Sequence, residues 1–226
     1  MPNNTRRSFL TNLGVAASVA GVTIASGASN AAAQTPAPGS WHPARHPQDD
    51  WFDKIPGKHR MFFDTSNATA LADALWFGNN FFVANKSGYG LENTDLAVIL
   101  CMRHKSTAFG YNDAMWAKYG ALLSRQADFT DPKTKEVPKV NFYTPASTAP
   151  VAGRSLATLI KLGVQFAICN QSSHGIAGML ANATGGKADE VFNEIAANLI
   201  PQARFVPAGI VAVNRAQEYG YSITGS

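Results

Sequence analysis

Asp95–Met102 reads DLAVILCM, seven apolar residues in succession after a single charge. A run of this length suits a strand, and apolar residues without alternation describe a strand buried on both faces. Only a sheet covered on both sides offers that environment, so this run constrains the fold more than any other segment. Val164–Cys169 (VQFAIC) repeats the pattern. His59–Asp64, Arg204–Val206 and Tyr221–Thr224 supply three further short runs of strand character next to turn residues.

Helical patterns separate these runs. Asn67–Lys86 carries Leu71, Leu75 and Phe82 at helical spacing, with Ser66 or Asn67 as N-cap and Gly88 expected to follow its end. Asn112–Gln126 contains good helix formers, and Arg154–Leu162 is stopped by Gly163. Ser173–Ala183 and Lys187–Leu199 are split by Gly185-Gly186, and Gly209–Tyr219 completes the set. Alternating strands and helices predict an α/β domain over residues 58–226. The expected form is a three-layer α/β/α sandwich with a mostly parallel sheet of about five strands. Asp128–Gly153 breaks the rhythm with Pro132, Pro138, Pro145 and Pro150. A loop this long is expected to be functional, a lid or an interface arm. Trp76, Phe77, Phe81 and Phe82, with Phe109, Tyr111, Trp116 and Tyr119, suggest a wide apolar face. It is either helix core covered by the N-terminal tail or a subunit interface.

The N-terminus has a different character. Arg6-Arg7-Ser8-Phe9-Leu10 precedes a mildly apolar stretch rich in Ala, Gly and Val, which ends at Ala31-Ala32-Ala33. No Asp, Glu, Lys or Arg intervenes before Arg45. A twin arginine, a mild apolar region and small residues at a cleavage point describe a twin-arginine (Tat) export signal over residues 1–33. The segment is short and poor in Leu and Ile for a permanent span, so cleavage and a periplasmic location are expected, with no stable membrane span afterwards. Tat export carries folded proteins and so permits a cofactor, but the sequence assigns none. Residues 34–57 are linker-like; prolines around His42 and His46 oppose a helix that would pair them on a metal.

Composition narrows the classes. With 46% hydrophobic and 15% charged residues, the chain can build a core and is not disordered. Two cysteines exclude a disulfide-dense scaffold and a Cys-only zinc site. The net charge of +4 and pI near 9.1 suggest a nucleic-acid partner at first sight. Cleavage after Ala33 leaves 193 residues (226 less 33) and a charge of +2 (+4 less Arg6 and Arg7). No nucleic-acid partner is expected on that balance.

In parallel sheets ligands bind beyond the carboxyl ends of the strands. The residues that matter therefore follow Asp64, Cys101, Cys169 and Val206. Cys169 precedes Asn170-Gln171-Ser172-Ser173-His174. A helix starting at Ser173 would present free N–H groups that favour a thiolate; the other reading is an inert cysteine closing a buried strand. Cys101 precedes Arg103-His104-Lys105, three cations that would activate the thiol or hold an oxyanion. The competing reading places Cys101 inside the strand with solvated charges after it. If the two cysteine strands are neighbours, their sulfurs lie within plausible reach of a disulfide; an intervening strand would forbid one. Cys101, Cys169, His104 and His174 could also gather as a metal site. No Cys-x-x-Cys-His, no Gly-x-Ser-x-Gly and no glycine-rich phosphate loop is present.

Three stretches resemble the DsrE/DsrF-like (YchN-like) family over roughly His59–Thr224. Leu156–Gly178 (LATLIKLGVQFAICNQSSHGIAG) resembles the family's helix, Gly-Val, strand and active cysteine followed by a helix. Leu199–Thr224 (LIPQARFVPAGIVAVNRAQEYGYSIT) resembles its closing strand, helix and Gly-Tyr strand. Leu96–Tyr111 (LAVILCMRHKSTAFGY) is similar to its second strand and following loop. The resemblance implies a three-layer fold, assembly into trimers or hexamers, and a sulfur-transfer partner protein. It also implies that Cys169 carries persulfide sulfur. Position at the same sheet edge, rather than the resemblance, offers His104, Arg103 and His174 as assisting residues and Cys101, Arg103, Lys105, Asn170 and Ser172 as binding residues. The alternative is a non-catalytic periplasmic module that binds a small anion, a metal or a partner protein.

Overall fold

The computed structural model describes residues 41–145 and 154–225. Pro43–Ser226 forms one compact unit; of the other, Met1–His42, only Trp41 and His42 are described, so the expected export signal lies outside the described residues. Chain order within the domain is α1 (Trp51–Lys54), β1 (His59–Thr65), α2 (Ala68–Tyr89), β2 (Leu96–Met102), α3 (Asp113–Ala127) and α4 (Leu156–Lys161). Then follow β3 (Gln165–Cys169), α5 (Asn170–Thr184), α6 (Ala188–Ala197), β4 (Ala203–Val206), α7 (Gly209–Glu218) and β5 (Ser222–Gly225). The five strands form one wholly parallel sheet in the order β4-β3-β2-β1-β5.

Right-handed crossovers decide where the helices go. The steps from β1 through β4 all run in one direction, so α2 to α6 fall on one face. The return from β4 to β5 runs the other way, so α7 falls on the opposite face. Side chains follow this division. Phe63, Val98, Leu100, Phe166 and Ile168 pack under α2 to α6, while Phe62, Ala97, Ile99, Cys101, Ala167 and Val206 pack under α7 and α1. All seven residues of β2 are buried, as its unbroken apolar run requires.

Several local expectations change. The helix α2 passes through Gly88 to Tyr89 and stops at Gly90, whose φ of 68° supplies the left-handed cap. The helix α5 starts at Asn170 rather than Ser173. Within the span expected to be linker-like, Pro47–Lys54 folds onto the α7 face, where Phe52 is wholly buried and stacks on Tyr219. That face, rather than α2, is where the N-terminal strap packs. Residues 146–153 of the long loop lie outside the described residues. Its described part includes a plug in the core: Asn141 donates to the carbonyls of Phe109 (2.7 Å) and Tyr111 (2.8 Å), and Phe142 and Tyr143 are buried. The expected apolar face divides likewise, with Phe109, Tyr111, Trp116 and Tyr119 in the core and Trp76 and Phe77 exposed.

Candidate functional site

The carboxyl edge of the sheet collects the ends of β1 to β4. Neighbouring parallel strands β3 and β4 lead to helices on opposite faces, α5 and α7, which opens a crevice between their ends. Cys169 is the last residue of β3 and pairs in register with Val206 of β4. Asn170 and Val206, one its neighbour in sequence and the other its neighbour in the sheet, line a cleft of about 510 Å³ with Gln48, Asp49, Phe192 and Phe205.

Cys169 is itself the N-cap of α5. Its Sγ accepts the backbone N–H of Ser172 at 3.4 Å, a role more often filled by Ser, Asp or Asn. The 15-residue helix thus aims its free N–H groups and positive dipole end at the sulfur, a place that favours negative charge. The thiol is nearly enclosed, with 5% exposure.

The register between β2 and β3 explains what surrounds the sulfur. Cys101 is level with Ala167 and Met102 with Ile168, so the next step sets Arg103 beside Cys169. Arg103 is fixed by the carboxylate of Asp64 at the end of β1: Nε lies 2.8 Å from Oδ1 and Nη2 lies 2.8 Å from Oδ2. The hydrogen bond that Arg103 donates to Asp64 holds the guanidinium charge even more firmly than usual, and both cysteines contribute electrostatically. The Arg103 stem runs over the first turn of α7. A Cβ added to Gly209 would stand 2.4 Å from Arg103 Cβ, so only glycine admits this crossing.

Cys101 has a different environment. It is wholly buried, and its Sγ lies 3.9 Å from the Gly209 carbonyl. Burial pushes its thiol well above the ordinary range; the charges of Asp64 and Cys169 push further and Arg103 opposes them. Of the two readings of Cys101, its burial accords with the one that places it inside the strand, because desolvation outweighs the one cation that lies close. Both cysteines are free. They sit on adjacent strands but two register positions apart, a diagonal of about 7–8 Å, at or beyond the reach of a disulfide.

The Arg103-His104-Lys105 segment does not act as one cluster. His104 adopts φ 55°, a left-handed conformation that turns the chain away from Arg103. Ser172 Oγ accepts its N–H at 3.2 Å and Gln126 Nε2 donates to its carbonyl at 3.1 Å. Ser172 therefore joins the start of α5 to the loop after β2. His104 and Lys105 line a second cleft, of about 520 Å³, with Ser66, Asn67, Thr69 and Asp128. There Lys105 Nζ is 2.9 Å from Asp128 Oδ2 and lowers that carboxyl's pKa. His174 is exposed on α5 and stacks on Phe192 at 3.8 Å, at the outer wall of the first cleft. Among the described residues no three of His, Cys, Asp and Glu gather as metal ligands. No described helix is long and apolar enough to cross a membrane.

The structure thus joins Cys101, Arg103, Cys169 and Ser172 and sets Asn170 at the cleft. It leaves the His104, Lys105 and His174 side chains elsewhere. Sequence reasoning missed the Asp64 carboxylate as the partner of Arg103, and it missed Tyr111. The Tyr111 hydroxyl lies 2.9 Å from Ser173 Oγ behind the site, where burial raises its pKa. Position at a strand end flagged Asp64; no local signal marked Tyr111.

No family model matches the chain, and no curated protein matches it. A solved protein of unknown function from Methanobacterium thermoautotrophicum is similar at 12% identity, covering 74% of this chain and 98% of that one, with a TM-score of 0.36. A likeness that distant bears on neither the function nor the site.

Proposed function

We propose that this chain is an exported thiol sulfur carrier of the DsrE-like type, with Cys169 holding sulfane sulfur as a persulfide. The observation that carries this reading is the Cys169 sulfur at the N-terminus of α5, 3.4 Å from the Ser172 N–H and beside Arg103. A sulfur so placed, at a strand end and a helix N-terminus, suits a nucleophile that takes up sulfur. The Cys169 thiolate attacks the outer sulfur of a donor persulfide. A bond forms between the two sulfurs, the donor's S–S bond breaks, and the donor leaves as a thiolate. The reverse step passes the sulfur to an acceptor thiol, and neither step consumes an oxidant. Export through the twin-arginine signal and assembly into a homo-oligomer belong to the same reading.

Cold cyanolysis after incubation with a persulfide donor tests it. The chain should release close to one equivalent of thiocyanate. Cys169→Ser should release none, and Cys101→Ser should match the unaltered chain. Equal release from Cys169→Ser would defeat the proposal.

One observation favours a second reading. The cleft lined by Ser66, Asn67, Thr69, His104, Lys105 and Asp128 lies apart from both thiols and has a polar lining, where a small anion would compete with Asp128 for Lys105. Sulfate binding by calorimetry that survives Cys169→Ser and is lost in Lys105→Ala would support a binding module.

A further inference from the structure

The strand β5 lies at the edge of the sheet and, among the described residues, pairs only with β1, so none of them pairs with its outer row of N–H and C=O groups. Above that edge α2 packs on β1, β2 and α4, and the flank it turns toward β5 carries Asp73, Phe77 and Phe81. Phe77 is 53% exposed. Two clefts mark the ends of this flank. The one at the carboxyl end of β5 is lined by Asp64, Asp73, Phe77 and Thr224. The one at the amino end is lined by Lys58, His59, Arg60, Phe81 and Ser222.

The charges at the two ends are opposite. Asp64 is neutralised by Arg103, and Arg60 by Asp53. That leaves Asp73 at one end and Lys58 at the other, both exposed and without an ion-pair partner among the described residues.

We infer that the α2–β5 side is an interface between two copies of this chain, related by a two-fold axis through the free edge of β5. Pairing β5 with its own copy must be antiparallel under that axis, so the carboxyl end of each strand meets the amino end of the other. Asp73 of each copy then faces Lys58 of the other, twice over. A pairing that kept the strands parallel would set like charges together. The distances suit the arrangement. Three strand spacings put β1 and its copy about 14 Å apart, more than the roughly 10–12 Å diameter of a helix with its side chains, so the two α2 helices clear each other and Phe77 and Phe81 flank the space above the junction. The sheet becomes ten strands long. The interface lies across the sheet from the β3–β4 edge and leaves the Cys169 cleft open, so the inference stands independently of sulfur transfer.

Sedimentation velocity on protein produced from the full chain tests it. The unaltered chain should sediment as a dimer or an even-numbered assembly. Lys58→Asp and Asp73→Lys should each weaken association roughly tenfold or more, because each brings two like-charge pairs together. The double variant K58D/D73K should restore the original affinity, which a folding defect cannot do. A monomer at every concentration, single variants that assemble normally, or a double variant that fails to recover would each overturn the inference.

Discussion

Cys101 and Cys169 lie on the same face of adjacent strands, two register positions apart, and their surroundings diverge completely. Cys101 belongs to a strand that continues past it, so it is packed beneath α7 and its thiol is held protonated by burial. Cys169 ends its strand, so the next helix starts on it and Ser172 donates to its sulfur. A difference of one residue relative to the strand end separates a cysteine enclosed by the core from one that caps a helix. Arg103 sits between them, and both cysteines act on its charge.

The sharpest way to break this comparison is competitive alkylation under native conditions. Limiting iodoacetamide should modify Cys169 at least roughly a hundredfold faster than Cys101, because opening the core around a wholly buried group costs several kcal/mol. Comparable rates would erase the distinction. The pair that fixes Arg103 gives the next effect. Arg103→Gln strands the Asp64 carboxylate, which is 12% exposed, and should cost about 2–3 kcal/mol by chemical denaturation. In the same variant Cys169 should react about fivefold more slowly, the loss of about 1 kcal/mol from a neighbouring cation. Gly209→Ala forces a methyl group into the Arg103 stem and should cost about 1–3 kcal/mol.

The smallest effect concerns pH. The Cys101 thiol has a raised pKa in the folded state, so above the unfolded value of about 8.5 the unfolded chain loses its proton first. Stability should therefore be unaffected by this group at neutral pH and fall as pH rises beyond about 8.5, by at most about 1.4 kcal/mol per unit. Cys101→Ala should flatten that decline. Tyr221, pushed up to about 12 by burial, adds a similar loss only above about pH 10, the ordinary tyrosine value.

The strands were legible because doubly buried parallel strands leave an unmistakable apolar run, as Leu96–Met102 does. The order of the sheet was not legible: handedness sets the face each crossover helix covers, but left open whether the two cysteine strands are neighbours. The start of α5 was not legible: Asn170, Gln171, Ser172 and Ser173 are indifferent helix formers, and a cysteine N-cap carries no sequence signature. Thus Cys169 was found by its place at a strand end, but its bond to Ser172 was not. The Asp64–Arg103 pair spans 39 positions and depends on register, which no local pattern encodes. The strap at Pro47–Lys54 was hidden by the proline-rich stretch that leads into it; the burial of Trp51 and Phe52 shows it to be part of the core.

The central claim is that Cys169, and not Cys101, takes up sulfur. Peptide-resolved mass spectrometry of the chain after brief exposure to polysulfide and trapping with an alkylating agent tests it most directly. The account predicts the added mass of one sulfur atom on the peptide containing Cys169, with the Cys101 peptide unchanged. Sulfur on Cys101, or on neither cysteine while both remain reduced, would contradict it.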